Sequence, residues 1–326
     1  MAKELCSGYT TGACAAAGVK ACFLFQAGED WNEIALTALD GTPLVIPVKA
    51  VVETPDGVRA EVIKFSGDDP DITNGVSVFT TVKMLDGHQG IVFRAGEGVG
   101  TVTKRGMSLP VGEPSINKGP RELIRRVVSE MTGQEDFGAE VTIAIPEGVE
   151  LAKKTLNPVL GIEGGISVIG TTGVLRPMSE EAFKDSLVPQ IDVALASGED
   201  VLVFVPGKIG ERIALALGIS QAAIIETSNF IGFMLDRAAE RGAKGVLILG
   251  HTGKLVKIAA GVFHTHNRIA DARLETLAAY AAAEGLEQNG VRAVLASNTT
   301  EDAMERIAEA GLAPRVCGVI AERVHV

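Results

Sequence analysis

The most informative feature of the chain is a helix start built from hydroxyl side chains and glycines, Gly8-Tyr9-Thr10-Thr11-Gly12, followed by small residues. Thr10 or Thr11 can cap the first free backbone N–H groups, and the remaining donors and the positive dipole end favour a carboxylate or phosphate. An ordinary capped core helix explains the same residues. The segment therefore predicts a capped helix and makes Thr10, Thr11 and Gly12 candidate anion contacts.

Five more unusual strings follow in order along the chain, rich in glycine and in side chains that hydrogen-bond. They are residues 67–75, Gly96-Glu97-Gly98-Val99-Gly100, Gly112-Glu113-Pro114-Ser115-Ile116-Asn117, Gly170-Thr171-Thr172-Gly173 with Arg176-Pro177-Met178-Ser179, and Gly250-His251-Thr252-Gly253-Lys254-Leu255 running into His264-Thr265-His266-Asn267-Arg268. Gly98 and Gly100 are explained equally well as bulge or turn residues.

The string at residues 67–75 places Asp68, Asp69 and Asp71 around Pro70, where carboxylates could bind a cation or transfer a proton. The spacing of a calcium loop is not met, because no glutamate follows at the required offset. An Asx-rich turn is the alternative explanation. We take Asp68 and Asp69 as candidates for proton transfer.

Three histidines lie in the last string. His264 and His266 share a face only on a strand, and no third ligand stands at a recognisable spacing, so a zinc site is not predicted. His251 follows an apolar run, where its ring could donate a hydrogen bond to a ligand or cap a helix. Ser-hydrolase, zincin and Walker A motifs are missing from the sequence.

Two further positions follow apolar runs that we predict to be parallel strands. Gly170-Thr171-Thr172-Gly173 could line a nucleotide-like ligand or form a tight strand-to-helix turn. Glu226 could bind a ribose diol, or it could simply favour a helix N-terminus. Ligands of parallel sheets bind at the carboxyl ends of strands, which also makes Gly250 a candidate contact.

Composition bounds the fold and the class of partner. With 326 residues, two domains are expected, and 46% hydrophobic content with only 4% aromatics indicates parallel strands of small aliphatic residues covered by helices. The formal charge of -11 disfavours a nucleic-acid surface, because phosphate binding needs a basic face. A polyanionic ligand would need local basic pockets.

The cysteines and the first helix indicate the compartment. Cys14 and Cys22 are eight residues apart and should share a helical face as small buried thiols, which fits a reducing cytoplasm. The apolar stretch at residues 13–27 is too short to cross a bilayer and contains Lys20. No signal peptide is predicted, so a cytoplasmic protein without membrane contact is expected.

After the first helix the pattern is typical of an antiparallel sheet. Strands are predicted at residues 33–38, 44–48, 58–65, 76–84 and 91–93, separated by turn pairs such as Asp40-Gly41 and Asp86-Gly87. A helix is predicted near residues 121–131. The polar stretch at residues 133–138 predicts a domain boundary, giving an α+β domain at 1–135 and a second domain at 136–326.

The second domain alternates apolar runs with helical stretches. The predicted strands are residues 141–145, 166–169, 201–205, 223–225, 245–249, 293–296 and 316–324. This alternation favours an α/β fold with a doubly wound, Rossmann-like parallel sheet.

Taken in order, these strings resemble the CbiD family, the cobalt-precorrin-5B C1-methyltransferases of the anaerobic cobalamin pathway, over nearly the whole chain. The most specific parts are Gly8-Tyr9-Thr10-Thr11-Gly12, Gly67-Asp68-Asp69-Pro70-Asp71, the strings at residues 112–117 and 170–179, and Gly250-His251 with Gly253-Lys254-Leu255. The chain departs from the family string at two positions, with His264 in place of an asparagine and Asn267 in place of a serine.

The resemblance implies transfer of a methyl group from S-adenosylmethionine to ring carbon C1 of a cobalt-containing corrin precursor. The cobalt then belongs to the substrate, and no protein-bound metal is expected. A corrin precursor is a disc fringed with carboxylates, which would need helix N-termini and scattered cations in an interdomain cleft. The candidate substrate contacts are Thr10, Thr11, Gly12, Lys104, Arg121, Arg176 and His266. The candidate contacts of the methyl donor are Gly170, Thr171, Thr172, Gly173, Glu226 and Gly250, on the second domain.

Asp68, Asp69 and His251 are the candidates for catalytic proton transfer, which methyl transfer from a sulfonium does not strictly require. Two alternatives stay open. A nicotinamide-dependent reductase is disfavoured because residues 146–148, after the first predicted strand of the second domain, lack the dinucleotide fingerprint. A non-catalytic corrinoid carrier would bind the corrin without the methyl donor. The sequence leaves the oligomeric state open, with a homodimer as one option.

Overall fold

The computed structural model describes residues 5–87, 90–177 and 179–325. It divides into two compact units, Met1–Glu180 and Glu181–Val326. The boundary predicted at residues 135/136 therefore falls inside the first unit. The physical reason is that the strand Ala139–Ala144 pairs with two strands from earlier in the chain, which binds residues beyond 138 into the first sheet.

The first unit is mixed α and β. Its elements are β1 (Gly8–Tyr9), α1 (Thr11–Ala27), β2 (Glu33–Thr37), β3 (Pro43–Pro47), β4 (Ala50–Thr54), β5 (Gly57–Ile63), β6 (Ser77–Met84), β7 (Ile91–Ala95), β8 (Gly98–Val99), β9 (Thr101–Val102), α2 (Lys118–Thr132), β10 (Ala139–Ala144), α3 (Gly148–Ala152), α4 (Asn157–Leu160), β11 (Ile162–Glu163), β12 (Gly165–Ile166) and β13 (Val174–Leu175).

The helix α1 is the centre of this unit. Thr10 caps it, since its hydroxyl accepts a hydrogen bond from the Ala13 amide at 3.2 Å, and Gly28 ends it with a φ of 74°. The small residues predicted to follow the cap are fully buried. Gly18 lies where a Cβ would be 2.9 Å from the Thr80 side chain, so small residues let the helix approach the sheet closely. Thr10 capping and the buried helix confirm the sequence prediction.

The main sheet of the first unit has the order β4-β5-β6-β10-β7. Its pairs are antiparallel except for β10 and β7, which run parallel. The predicted strands between residues 33 and 95 are confirmed to within a few residues, and β4 was missed. The predicted antiparallel pattern is interrupted at one point, because β10 lies between β6 and β7 and runs parallel to β7.

The second unit contains a small parallel sheet and many helices. Its elements are α5 (Glu180–Leu187), which begins at the last residue of the first unit, α6 (Pro189–Ala196), β14 (Val201–Val205), α7 (Lys208–Ala216), a 3-10 helix (Gln221–Ala223), β15 (Ile224–Glu226), α8 (Ile231–Glu240), β16 (Gly245–Ile248), α9 (Thr252–Ala259), α10 (Arg273–Ala283), α11 (Gln288–Leu295), α12 (Thr300–Glu309) and α13 (Ala313–Val324).

Three of the seven strands predicted for the second domain form this sheet, in the order β15-β14-β16. All of its pairs are parallel. The predicted strand at residues 141–145 belongs instead to the sheet of the first unit. The runs at 293–296 and 316–324 were wrongly predicted as strands. They lie in α11 and α13, where Val316 and Ile320, four residues apart, are buried on one helical face in a cluster of helices.

Candidate functional site

Four of the strings singled out in the sequence meet in the first unit, and we call this assembly the motif cluster. Its segments are residues 6–12, 64–75, 112–121 and 166–176. The strand β1 pairs with β13, which places Gly8 opposite Leu175 and Tyr9 opposite Val174. The beginning of the chain therefore lies against a segment more than 160 residues away.

The beginning of α1 is bound directly to the segment that precedes Gly170. Thr11 Oγ1 accepts a hydrogen bond from the Ile169 amide at 3.0 Å, and the Gly12 amide donates to the Ile169 carbonyl at 3.0 Å. The Thr10 amide donates to the Gly173 carbonyl at 3.0 Å. These donors are therefore satisfied by protein, and Thr10 and Thr11 are both buried. The exposed side chain in this contact is Ile169, at 50%.

Gly170 is fixed by close contact with the helix cap. Its φ is 138°, and a Cβ built on it would lie 2.2 Å from Thr10 Oγ1. Gly119 at the start of α2 also approaches this loop, because its Cβ would lie 2.3 Å from the Gly170 carbonyl oxygen. Thr171 is exposed and Thr172 is half-buried. The structure thus unites Gly170–Gly173, predicted for the methyl donor, with Thr10–Gly12, predicted for the corrin.

The aspartate loop lies beside residues 6–9. Asp68 Oδ2 accepts a hydrogen bond from the Cys6 amide at 2.8 Å, and the Asp68 amide donates to the Cys6 carbonyl at 2.9 Å. The Asp69 amide donates to the Ser66 carbonyl at 3.2 Å. Asp71 accepts from Lys64 Nζ at 2.7 Å and from the Thr73 amide at 2.8 Å. The loop is an Asx-rich turn that also holds the chain preceding α1.

The three cations predicted to bind substrate differ in their availability. Arg121 is held by the string at residues 112–117, donating to the Ile116 carbonyl at 2.8 Å and to Glu113 at 2.8 Å. Lys104 donates to the Val159 carbonyl at 3.0 Å. Arg176 pairs with Asp40 at 2.9 Å and is 68% exposed. Arg176 and Lys104 are exposed, whereas Arg121 is half-buried. Met178 of the same string lies outside the described residues.

The carboxyl ends of the parallel strands form the second candidate region, in the second unit. Glu226 ends β15, is partly exposed, and pairs with Lys208 at 3.1 Å. Gly250 follows β16, where a Cβ would meet the Pro206 ring at 3.0 Å. Glu226 and Gly250 therefore both lie at the carboxyl end of this sheet, on opposite sides of β14. Gly170–Gly173 belong to the first unit, so the predicted contacts of the methyl donor fall into two sets.

His251 caps α9 rather than projecting a free ring. Its Nδ1 accepts a hydrogen bond from the Gly253 amide at 3.3 Å, and its Nε2 lies 2.5 Å from a Glu301 carboxylate oxygen. The Nε2 atom is accordingly the protonated one, because Nδ1 acts as an acceptor. Both ring nitrogens are engaged, so the capping alternative describes His251 in this structure, and its role in proton transfer stays a prediction.

The histidine-rich loop packs against Asn229 and Phe230, in the segment that follows β15. Phe230 forms an antiparallel bridge with His264, and the Thr265 amide donates to the Asn229 carbonyl at 3.0 Å. His266 is exposed, and its Nδ1 accepts from the Arg268 amide at 3.1 Å. Its predicted contact with substrate stays a prediction.

The strand ends also hold features that sequence reasoning missed. The Thr227 hydroxyl, directly after Glu226, is fully buried and has no hydrogen-bond partner within the described ranges. Ser228 has a φ of 51°, a conformation that costs a non-glycine residue free energy and often marks a functional position. An orphaned hydroxyl, a partly exposed acid and a strained loop fit a ligand with a ribose diol and polar termini. The residues present thus fit an adenosyl group.

The described part of the chain contains neither a cluster of metal-ligating side chains nor a helix that could span a membrane. Over residues 5–87, 90–177 and 179–325, no group of three or more His, Cys, Asp or Glu side chains is arranged to hold a metal ion. Within the same residues, every helix is too short or too polar to cross a membrane.

The chain is similar in sequence to two family models and to several named proteins. The CbiD family model matches residues 1–177, and the model of the CbiD C-terminal domain matches residues 264–326. A Methanocaldococcus jannaschii protein named cobalt-precorrin-5B C(1)-methyltransferase is 46% identical over 97% of this chain and 88% of its own. A Moorella thermoacetica protein of the same name is 48% identical over 99% of this chain and 88% of its own.

Among solved structures, the crystal structure of the cobalamin biosynthesis protein cbiD from Archaeoglobus fulgidus is 27% identical, covers 83% of this chain and 84% of its own, and has a TM-score of 0.44. The family model covers more than half of the chain, and the relatives exceed 40% identity over nearly all of it. The chain therefore belongs to the CbiD family.

Proposed function

We propose that this protein catalyses the S-adenosylmethionine-dependent methylation of C1 of cobalt-precorrin-5B, giving cobalt-precorrin-6A, in the cytoplasm. The observation that supports this most strongly is the near full-length similarity to two relatives named cobalt-precorrin-5B C(1)-methyltransferase. Regions that match CbiD family models lie in both compact units, which agrees with this proposal.

We assign the adenosyl group to the strand ends of the second unit. Glu226 is placed to accept hydrogen bonds from a ribose diol, as acids do at the ends of parallel strands. Gly250 follows β16 at the same end of the sheet, and the Thr227 hydroxyl offers a polar group that no described residue uses. A larger Rossmann-like organisation is part of this proposal, supported by the order β15-β14-β16.

We assign the corrin to the motif cluster of the first unit. A corrin has an apolar face and a rim of carboxylates, and the cluster presents the exposed side chains of Ile169, Thr171 and Arg176 close together in sequence. Because the donors of Thr10–Gly12 are largely satisfied by protein, they hold the Ile169–Gly173 segment in place. In this proposal Thr10, Thr11 and Gly12 are positioning residues and Gly170–Gly173 contact the substrate.

S-adenosylmethionine, when bound, supplies an electrophilic methyl group on a sulfonium. The residues of the chain have to bind and orient the ligands and exclude water, and held proximity alone contributes up to about 7–11 kcal/mol in favourable cases. Proton transfer is not an obligatory part of this chemistry. Asp68, Asp69 and His251 remain the candidates for it, and unchanged turnover in both Asp69→Asn and His251→Gln would remove Asp69 and His251.

Isothermal titration with S-adenosylmethionine, S-adenosylhomocysteine and NADH tests the proposal against its two alternatives. The methyltransferase proposal expects micromolar binding of both adenosyl ligands and none of NADH. Binding of NADH would instead favour a reductase. Corrinoid binding without any affinity for either adenosyl ligand, in the presence or absence of the corrinoid, would favour a carrier.

A further inference from the structure

Two lysines near the carboxyl ends of β15 and β16 donate hydrogen bonds from their ammonium groups to uncharged oxygen atoms. Lys254 Nζ donates to Asn229 Oδ1 and lies 3.4 Å from the Thr265 carbonyl oxygen. Lys257 Nζ donates to the Thr265 carbonyl at 3.1 Å and to Asn267 Oδ1 at 2.7 Å, and also to the Ala270 carbonyl at 2.9 Å. Two neighbouring ammonium groups thus share the same short loop.

No carboxylate in the described part of the chain forms an ion pair with either lysine. The acids nearby are already paired, since Asp271 binds Arg273 through both carboxylate oxygens, at 2.7 and 2.8 Å, and Glu301 binds His251. Lys257 is 1% exposed. Asp271 attracts the charge of Lys257 without a hydrogen bond to it. The charged neighbours of Lys254 are both positive, so Lys254 is the half-buried charge without a counter-ion, which is costly.

The direction in which the pKa of Lys254 is shifted agrees with that geometry. Burial, and then the positive charges of Lys257 and Arg273, lower the pKa of Lys254. An anion beside its ammonium group would offset all three effects.

The two lysines differ in whether they have a hydrogen-bond donor left for a ligand. Lys257 is buried, and its ammonium group donates three hydrogen bonds to oxygen atoms of the loop. It therefore fixes the loop and contributes a positive electrostatic potential. Lys254 is half-buried and has two oxygen neighbours for its three donors, which leaves one donor for a ligand. It lies in the first turn of α9, where the helix dipole favours negative charge. The strained Ser228 immediately precedes its partner Asn229.

We propose that Lys254 is the contact residue of a carboxylate-binding subsite in the second unit, with Lys257 as a positioning residue behind it. The proposal rests on the proposed function for the identity of the ligand, because both substrates of that reaction carry carboxylates. The methyl donor has one on its methionine part, and the corrin has several on its rim. The shared chemistry is a carboxylate accepting a charge-assisted hydrogen bond from the Lys254 ammonium group.

Paired ligands separate the two sources. S-adenosylhomocysteine has the carboxylate and 5′-methylthioadenosine lacks it, whereas cobyrinic acid has rim carboxylates and cobinamide has amides. The Lys254→Met variant should bind one of the two carboxylate ligands about tenfold more weakly or worse, and bind its carboxylate-free partner as the wild type does. Lys254→Arg should retain most of the binding, because it keeps the charge.

Lys244→Met is the matched control. Lys244 is a surface lysine of the same unit, 71% exposed and paired with Asp200, and its loss should change neither pair of affinities. Circular dichroism of each variant checks folding, and Lys254→Met should fold because it removes a charge without an acidic partner. Wild-type affinity of Lys254→Met for both carboxylate ligands would overturn the subsite while leaving the proposed function standing. A wild-type protein that binds none of the four ligands would contradict both.

Discussion

Thr11 and Ile169, 158 residues apart in sequence, are joined by two hydrogen bonds. Thr11 Oγ1 accepts from the Ile169 amide at 3.0 Å and is 3.3 Å from the Ile169 carbonyl oxygen, to which it can donate. This contact fastens the buried start of α1 to the segment that leads into Gly170. The motif cluster therefore depends on a side chain that is itself only 2% exposed.

Replacing Thr11 by valine keeps the shape of the side chain and removes its hydrogen bonds. We expect Thr11→Val to lower the free energy of unfolding by about 1–2 kcal/mol, because the Ile169 amide loses its acceptor. Thr37→Val, at an exposed strand position, is the control and should stay within about 0.5 kcal/mol of the wild type. Denaturant unfolding measures both, and equal stability of the two variants would contradict the role of Thr11.

Gly170→Ala tests whether the loop is fixed by contact as well as by backbone conformation. Its new methyl group would collide with Thr10 Oγ1. Gly164→Ala is the control, since Gly164 also has a positive φ, 89°, but has open space around its Cβ position. Backbone strain should lower the free energy of unfolding of the control by about 1–3 kcal/mol, and Gly170→Ala should lower it more. Thermal unfolding measures both variants. A smaller loss of stability in Gly170→Ala than in Gly164→Ala would show that Thr10 can move away from the new methyl group.

The buried pair of Lys64 and Asp71 predicts a pH dependence of stability. Burial raises the pKa of Asp71, but hydrogen bonds from Lys64 and Thr73 outweigh it, so the folded pKa lies below the ordinary 3.8. A depressed pKa stabilises the folded state above the unfolded value, and this contribution is lost as the pH falls through the folded pKa. Below about pH 4, the stability of the wild type should therefore fall more steeply than that of Asp71→Asn.

The same pair predicts a large effect at neutral pH. Lys64 is 2% exposed, so Asp71→Asn leaves a buried charge without its partner and should cost about 3–5 kcal/mol. The double variant with Lys64→Met should recover much of that loss. Glu150→Gln, in an exposed pair with Lys153, should cost at most about 1 kcal/mol. Equal effects of Asp71→Asn and Glu150→Gln in urea unfolding would refute the buried pair.

Thiol reactivity tests the packing of α1. Burial raises the pKa of Cys14 and of Cys22 to about 12, so neither forms the reactive thiolate at pH 8. Cys6 and Cys317 are exposed. Ellman's reagent should therefore detect two thiols in the native protein and four after denaturation, and none in the native Cys6→Ser, Cys317→Ser variant. A native thiol in that variant would mean that α1 is less buried than described.

Local signals in the sequence were sufficient for several elements. The Thr10 cap and the small residues after it predicted α1, and the turn residues predicted most strands of the first unit, because these features depend on neighbours in sequence. The position of β10 between β6 and β7 was not predictable in this way. Its partner residues lie 48 to 65 positions earlier in the chain, and nothing in the composition of β10 identifies them.

The candidate sites show the same limit. Each string of the motif cluster was visible in the sequence, but the sequence did not show that Gly170 lies against Thr10, and the two were assigned to different ligands. Lys254 lies in the string at residues 250–255, but the sequence predicted no function for this side chain. Its informative property is the lack of an acidic partner among the described residues, which only a three-dimensional structure reveals.

Methyl transfer to C1 of the corrin precursor is tested most directly by isotopic labelling. The protein is incubated with cobalt-precorrin-5B and S-adenosylmethionine labelled with carbon-13 in its methyl group, and the product is analysed by NMR and mass spectrometry. The proposal predicts one labelled methyl group on C1 for each S-adenosylhomocysteine released. An unlabelled corrin recovered after incubation with both ligands, or a label at another ring position, would contradict it.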